Sequence, residues 1–454
     1  ALLAGLQSRE THDIDVELTG LRFPPNDLKH TLPQQLLVLE VARRLAQRHM
    51  DLPIESTSVF VGMGCDPEIA RYSARWRLAD WAKAWQAQGY VADEAWIEAA
   101  KSVLVPGLEA AGVVGTMPNI PANRINTQLN YQGPSYTVSA EELSGLRALE
   151  VAVDALARGE IGAALVGAVD LSAEPVHARA AASLLGDARQ IAGDAAVVLL
   201  LKRVDEAERN GDPILAVLDD VAISAGDRGP GETNPLYLGL APEYRPLTER
   251  FGHAHAASGL LHVAAAAIAL RERAQPGADG EEAPAPATPW LAAGPRTAHV
   301  AAEALGDQHA RFDLRAGTAS PAAPRAGSAV AFHVYSGADA ADVLKALERG
   351  AESNSGPARL VIVTRHADEL TELQERAKLA LSKRMAAGTT ATVAPLMLGR
   401  GIFWSSVPVA GEIAFVFPGA AAAYQGMGRE LLLTLPELGD RVVEKFPVLA
   451  RSQY

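Results

Sequence analysis

Gly133-Pro134-Ser135-Tyr136-Thr137-Val138-Ser139-Ala140-Glu141-Glu142-Leu143-Ser144-Gly145 closes a strand-like run and opens a helix. The apolar positions of that helix, Leu146, Leu149, Val153 and Leu156, share one face. A side chain at such a strand-to-helix turn points into a cleft, at a helix N-terminus whose N–H groups favour negative charge. Acyl-transfer enzymes place a nucleophile at turns of this kind. Here the turn carries two adjacent carboxylates, Glu141 and Glu142. Neighbours at a helix start point in different directions, so both cannot line one cleft. One of them is read as a cap that complements the helix dipole.

Outward from this turn, strands alternate with helices. Thr57 to Gly62 is β-branched and apolar, and Ala163 to Asp170 is a continuous apolar run that predicts a strand buried on both faces. Gly193 to Arg203 and Pro213 to Leu218 predict two more strands. Gln34 to His49 has helical spacing at Leu37, Val41 and Leu45, with Asp51-Leu52-Pro53 as its stop. The alternation implies a layered α/β fold. Trp76, Trp81, Trp85 and Trp96 stand among polar residues; aromatic clustering of this kind is read as packing at a subunit interface ahead of a ligand cage. Pro276 to Pro289 reads as a mobile acidic linker. Pro321 to Ser328 marks a boundary, followed by two strand–helix units, 330–347 and 360–381. Asp339, Asp342, Asp368 and Glu369 suit the starts of their helices.

A chain of 454 residues can bury more than one core, about two to four units by size. Its net charge of −13 argues against nucleic acid and anionic membranes as partners. The single cysteine, Cys65, rules out an intrachain disulfide framework and fits a reducing cytoplasm. With no His or Asn motif beside it, Cys65 is read as a packed, inert thiol. The chain shows no signal-peptide pattern and no run of about 20 apolar residues.

Several motifs in order resemble the β-ketoacyl synthases. The elbow matches their G-P-S-x-x-V-D-T-A-C-S-S, with Ser139 and Ala140 at the Asp and Thr positions and Glu142 in place of the catalytic Cys. Met117-Pro118-Asn119-Ile120-Pro121-Ala122-Asn123-Arg124-Ile125 matches P-N-x-x-A-N-R-I. Phe251-Gly252-His253-Ala254-His255-Ala256-Ala257-Ser258-Gly259 resembles I-G-H-x-x-A-A-G. The family's Lys five residues before that His is Thr248, its H-G-T-G-T segment has no counterpart, and its glycine-rich closing turn is Ala302 to Asp307. Ile413 to Gly419 with Gly426 to Leu431 resembles the opening of an acyltransferase, but Ala420-Ala421 replaces the F-P-G-Q-G glutamine and its glycine.

The resemblance implies a thiolase-like fold of two related halves, residues 1–212 and 213–327. An α/β adaptor would follow at 328–411 and an acyltransferase-like opening at 412–454. In the family, several dozen residues carrying a first core strand usually precede the segment that begins this chain. Ile125 to Val138 is expected to pair with its equivalent across a dimer interface.

A carboxylate cannot become the acyl thioester of a Claisen condensation. The resemblance therefore implies a vestigial site of Glu142, His253 and Thr248 without a confident catalytic residue. His253 is read as a retained packing residue paired with Glu142, whose anion is expected to be held by N–H groups of the elbow. His253 and His255, at i and i+2 without a third ligand motif, are a weak metal pair, and no metal or directly bound cofactor is expected. The pattern looks most like the chain length factor region of polyunsaturated fatty acid synthases, or of a polyketide synthase. Such a protein is an inactive partner that forms a heterodimer with an active ketosynthase. Its implied partners are that ketosynthase, an acyl carrier protein delivering phosphopantetheine-bound acyl chains, and an acyltransferase domain in cis. A malonyl-carrier decarboxylase and a purely structural dimerisation module are the alternatives.

Overall fold

The computed structural model describes residues 2–3, 15–48, 52–64, 69–172, 174–219, 235–277, 285–318, 331–364, 368–392, 394–408, 424 and 426–451. Cys65, Ile413 to Gly419, and 278–284 within the acidic linker lie outside them. The chain divides into two compact units, one of Ala1–Pro321 with Pro436–Gln453 and one formed essentially by Ala322–Leu435.

In the first unit the main helices are α1 (Pro33–Ala46), α2 (Ile69–Gln86), α3 (Glu94–Leu104), α4 (Pro121–Leu129), α5 (Ser144–Ala157) and α6 (His255–Glu272). Its main strands are β1 (Thr57–Gly62), β2 (Ser135–Val138), β3 (Ala163–Leu171), β4 (Asp194–Lys202), β5 (Ala216–Asp219), β6 (Leu236–Gly239), β7 (Thr297–Ala304) and β8 (Gln308–Ala316). They build two four-stranded sheets, ordered β2-β1-β3-β4 and β5-β8-β7-β6. β1 runs parallel to β2 and β3, while β4 is antiparallel to β3. In the second sheet β6 is parallel to β7, and β7–β8 is an antiparallel hairpin.

β3 is buried along nearly its whole length, as its unbroken apolar run predicts. The reason is coverage on both faces. α5 and α6 pack on each other and on β3 from one side, and α1 packs on β3 and β4 from the other. The central core joins Leu146, Leu149 and Leu156 of α5 to Leu260, Val263 and Leu270 of α6 and to Val300, Phe312 and Leu314 of the second sheet. The two sheets thus share one pair of helices, a layered arrangement in which the ends of β2 and β3 meet the start of α6.

One local expectation is corrected. α1 buries Val38, Leu39, Ala42 and Ala46, one step round from Leu37, Val41 and Leu45, which are half-buried. Gln34, Gln35 and Glu40 are also buried on it; Gln35 donates to the carbonyls of Gly115 and Met117, and Glu40 is held by Arg43 and Arg44. A helix face closed by polar partners escapes an apolar-only count. Trp85 meets Trp81 and Trp96 at 6.5 and 6.3 Å, while Trp76, Trp81 and Trp96 are exposed on α2 and α3.

The second unit holds β9 (Ala331–Gly337), β10 (Ala358–Thr364), β11 (Leu396–Gly399), β12 (Ile402–Ser405), α7 (Ala340–Glu348) and α8 (Glu369–Ala386). Its sheet, β9-β10-β12-β11, is antiparallel throughout. Asp339 caps α7 as its acidic start predicts, accepting from Ala341 and Asp342 N–H at 2.9 and 3.0 Å. The core here is Tyr335, Leu347, Leu360, Ile362, Leu381 and Trp404.

Candidate functional site

The elbow forms where the sequence places it, after β2 and before α5, through a single 3-10 turn at Glu141–Leu143. Glu141 sits at φ +49°, a left-handed conformation that costs energy in a residue with a Cβ. The kink separates the two carboxylates: Glu142 turns inward and is 1% exposed, while Glu141 stays in solvent. Gly62, at the end of β1, makes room for the turn, because a Cβ there would lie 2.4 Å from the backbone of Ser144 and Gly145.

His253 reaches the same point from the opposite half. Gly252 has φ +70° and crosses the backbone so closely that a Cβ would meet the Ala192 carbonyl at 2.2 Å. His253 N–H then donates to Ile191 O at 2.6 Å, which fixes the imidazole over Glu142. His253 Nε2 lies 3.0 Å from Glu142 Oε1, and Ser258 Oγ lies 3.1 Å from His253 Nδ1. With an ionised Glu142 as acceptor, Nε2 carries a proton toward it, and Nδ1 is hydrogen-bonded to the Ser258 hydroxyl. Thr248, in place of the family's Lys, is buried at the start of the Thr248–Phe251 turn, and its carbonyl accepts from Gly252 N–H. Among the described residues no hydrogen bond joins it to Glu142, so of the three vestigial positions Glu142 and His253 meet.

Two partners of Glu142 were not anticipated: Arg189 stands in a segment that no motif marks, and Leu305 in the Ala302 to Asp307 turn. Arg189 Nη1 donates to both carboxylate oxygens at 3.0 and 2.9 Å, and Leu305 N–H donates to Oε2 at 3.0 Å. Burial alone would raise the Glu142 carboxyl. The hydrogen bond and charge of His253, the Leu305 N–H and Arg189 outweigh it and hold the group below its ordinary value. The donors are therefore not the elbow's own N–H groups, as the sequence suggests, but groups that converge from the β7–β8 turn, the Asp187–Arg189 turn and the α6 start. The elbow N–H of Ala140 is satisfied instead by Ser144 Oγ.

A second set of titratable groups borders this site. Asp170, at the end of β3, is buried and pushed up to about 6, chiefly by burial, against the charge of His255 and the Ser172 and Ala256 donors. His177 Nε2 is 3.6 Å from Asp170 Oδ1, and its ring stands edge-on to His255 at 5.1 Å. Burial, with repulsion from His253, lowers His177. His255 adopts φ +33° and approaches Glu141 at 3.3 Å. Donor atoms of Glu142, His253 and His255 come within 4.8 Å of one another, the spacing of a metal triad. The chemistry does not fit a cation: Arg189 already neutralises the carboxylate, and both oxygens are engaged by donors.

The geometry and the elbow now stand beside known proteins. Residues 9–207 match the β-ketoacyl synthase N-terminal domain. That region is similar to the ketosynthase region of polyketide synthases, and the chain has the α/β thiolase-like fold. Erythronolide synthase EryA2 of Saccharopolyspora erythraea is 25% identical over 94% of this chain and 14% of that protein. Highly reducing polyketide synthase ntnH of a Nectria species is 33% identical over 31% of this chain and 6% of its own length. A solved ketosynthase, from module 1 of the bacillaene synthase of Bacillus amyloliquefaciens FZB42, is 16% identical with a TM-score of 0.49, covering 79% of this chain and 77% of that one. The chain thus spans a small part of the curated synthases it matches. No helix among the described residues is long and apolar enough to cross a membrane.

Proposed function

We propose that this chain is a non-condensing chain length factor that pairs with an active ketosynthase in the cytoplasm and shapes its acyl-chain tunnel. The observation that carries the reading is Glu142: a carboxylate stands at the nucleophile position and is fully engaged by His253, Arg189 and Leu305. Condensation needs a thiol to take the acyl chain and imidazoles and a lysine to support carbanion chemistry. Here the first is Glu142 and the lysine position is Thr248. The engaged carboxylate also occupies the place where a nucleophilic thiol would stand, which leaves the substrate to the partner's cleft. The substrates in that cleft would be phosphopantetheine-bound acyl chains brought by an acyl carrier protein, with an acyltransferase acting from the same polypeptide.

Pairing through β2 is part of the proposal. β2 is an edge strand of the first sheet, and Tyr136 on it is exposed. An open edge next to the elbow suits a partner strand that continues the sheet. Incubation of the chain alone with acyl-carrier and malonyl-carrier substrates tests the reading. The expected result is no β-ketoacyl product, and Glu142→Cys is expected to restore none. Condensation by the chain alone would refute it; release of carbon dioxide from malonyl carrier without condensation would point to a decarboxylase instead.

A further inference from the structure

We infer that the groove between α8 and the edge strand β11 is a docking site for an acidic, amphipathic helix of a partner protein, a contact separate from the β2 edge and beyond the proposed function. The groove has a volume of about 460 Å³ and is lined by Arg376, Leu379, Lys383 and Arg384 from α8 and by Leu398 and Ile402 from the β11–β12 hairpin. At 3.6 residues per turn, the four α8 positions fall within about 140° of one another round the helix. They form one face that borders one concavity. Leu379 stands between Arg376 and the Lys383–Arg384 pair on that face and is 59% exposed, while Ile402 is buried beneath.

Charge defines the occupant. No carboxylate lines the groove. Residues 376–411 hold five Lys and Arg (Arg376, Lys378, Lys383, Arg384, Arg400) and no Asp or Glu, in a chain whose 454 residues carry 54 acids and a net charge of −13. The cations at the groove are largely unspent. Arg376 meets Glu372 at 3.6 Å, one turn back and in solvent. Arg384 donates through Nε to Thr389 O at 3.0 Å, which steadies its guanidinium at the end of α8. The Lys383 ammonium has no hydrogen bond or ion pair among the described residues.

Spacing defines it further. Arg376 and the Lys383–Arg384 pair lie two turns apart on α8, about 10.5–12 Å along its axis. A helix laid along the groove matches them with acids at i and i+7, and its aliphatic side chains at i+3 and i+4 then meet Leu379 and the apolar floor. Each acid faces a cation that has no better partner, and the apolar contact between them excludes water. A single-stranded nucleic acid fits less well, because no aromatic ring lines the groove for a base to stack on. An anionic membrane fits less well too, since such surfaces are bound by clusters of about four to eight cations, and three line this groove.

Fluorescence anisotropy tests this on the full chain, with a labelled, lactam-stapled peptide of about 18 residues, long enough to hold its helix, carrying Glu at i and i+7 and Leu at i+3 and i+4. The expected result is saturable binding whose dissociation constant rises at least about tenfold in the double variant Lys383→Glu/Arg384→Glu, where like charges meet. It should also rise at least about threefold between about 0.1 and 1 M salt, as the screening length falls from about 10 to 3 Å. Lys383→Gln/Arg384→Gln removes the charge without setting acids at the C-terminal end of α8, so it should weaken binding with the helix intact by circular dichroism. Leu379→Ser should weaken it with no change in salt dependence. A peptide with Lys in place of each Glu should not bind. Absence of saturable binding up to about 1 mM, equal binding of the Lys peptide, or indifference to both double variants would overturn the inference. So would phosphatidylserine vesicles or a second copy of this chain, in place of the peptide, being what the double variants release.

Discussion

Replacing Glu142 by Gln keeps the shape of the side chain and removes its charge, so it isolates what the anion contributes. The carboxylate accepts from His253 Nε2, from Arg189 Nη1 at both oxygens and from Leu305 N–H. An amide has one acceptor oxygen. Turned toward Leu305 and Arg189, that oxygen keeps two donors satisfied, and the new NH₂ faces His253. The ring can adapt, because Ser258 Oγ accepts from Nδ1–H as readily as it donates to bare Nδ1, which frees Nε2 to accept from the amide. The loss is then the charge assistance at Arg189 and Leu305, about 1–3 kcal/mol. Glu142→Leu, which leaves the donors facing an apolar chain, should cost about 3–5 kcal/mol. Urea unfolding reads both values.

The acid limb gives a second, independent reading of the same variant. Glu142 has a folded value below its ordinary 4.5, so its contribution is present above 4.5 and is lost as pH falls through the lowered folded value. Glu142→Gln should therefore lose less stability than wild type as pH drops below about 4.5. If the variant is within 0.5 kcal/mol of wild type at neutral pH, a margin of about the usual surface-substitution effect, the anion is not stabilising and the reasoning fails. If it abolishes product formation by an assembled, folded heterodimer, Glu142 is catalytic and the proposed function falls with it.

Other outcomes follow from residues near the site. Asp170 is neutral-favouring in the fold, with a value near 6 against 3.8, so its stabilising neutral form is fully present below 3.8 and lost as pH rises through 6. Asp170→Asn should thus gain on wild type by about 1.4 kcal/mol per pH unit between those values, in the difference of two urea titrations; a pH-independent difference refutes the burial argument. His262 is buried, accepts from Leu247 N–H through Nε2 at 3.1 Å and is lowered to about 4. Its contribution is present above 6.5 and fades as pH falls toward 4, so His262→Gln should flatten the wild-type decline over that window. Gly252→Ala should fail to fold or lose more than about 3 kcal/mol, because a Cβ meets the Ala192 carbonyl at 2.2 Å in a left-handed backbone; a soluble variant of wild-type stability would contradict the crossing described here.

Much of the architecture is legible in short stretches. The elbow, the fully buried β3 and the acidic start of α7 each depend on residues within about ten positions of one another, the range over which periodicity and capping speak. The pairing of Glu142 with His253 was also legible, because both sit at motif positions whose roles in the family meet in space. Arg189 and Leu305 were not. Each stands in an irregular turn, 47 and 163 residues from Glu142, and nothing local distinguishes an arginine that will reach a buried carboxylate from one that will face water. The mistaken face of α1 has a related origin: buried Gln35 reaches the distant carbonyls of Gly115 and Met117, and buried Glu40 is held by Arg43 and Arg44, none of which a hydrophobicity pattern contains. The exposed tryptophans are a different case, since helical spacing of aromatics states that a face exists and is silent on what covers it.

Arg250 has a consequence for rebuilding this protein. Its fully buried guanidinium donates to the carbonyls of Leu2, Gly277 and Ala285, three backbone points drawn from separate parts of the chain. Ala274 and Gln275 pair in addition with Pro289 and Thr288. The two ends of the 278–284 segment are thereby tied down independently of what joins them, and lengthening that join costs only a slowly growing loop entropy, about 0.6 kcal/mol per doubling. A fluorescent protein or an affinity handle placed between Gly277 and Ala285 meets anchored ends on both sides. The residue to leave untouched in such an insertion is not in the segment at all but 27 positions upstream of Gly277.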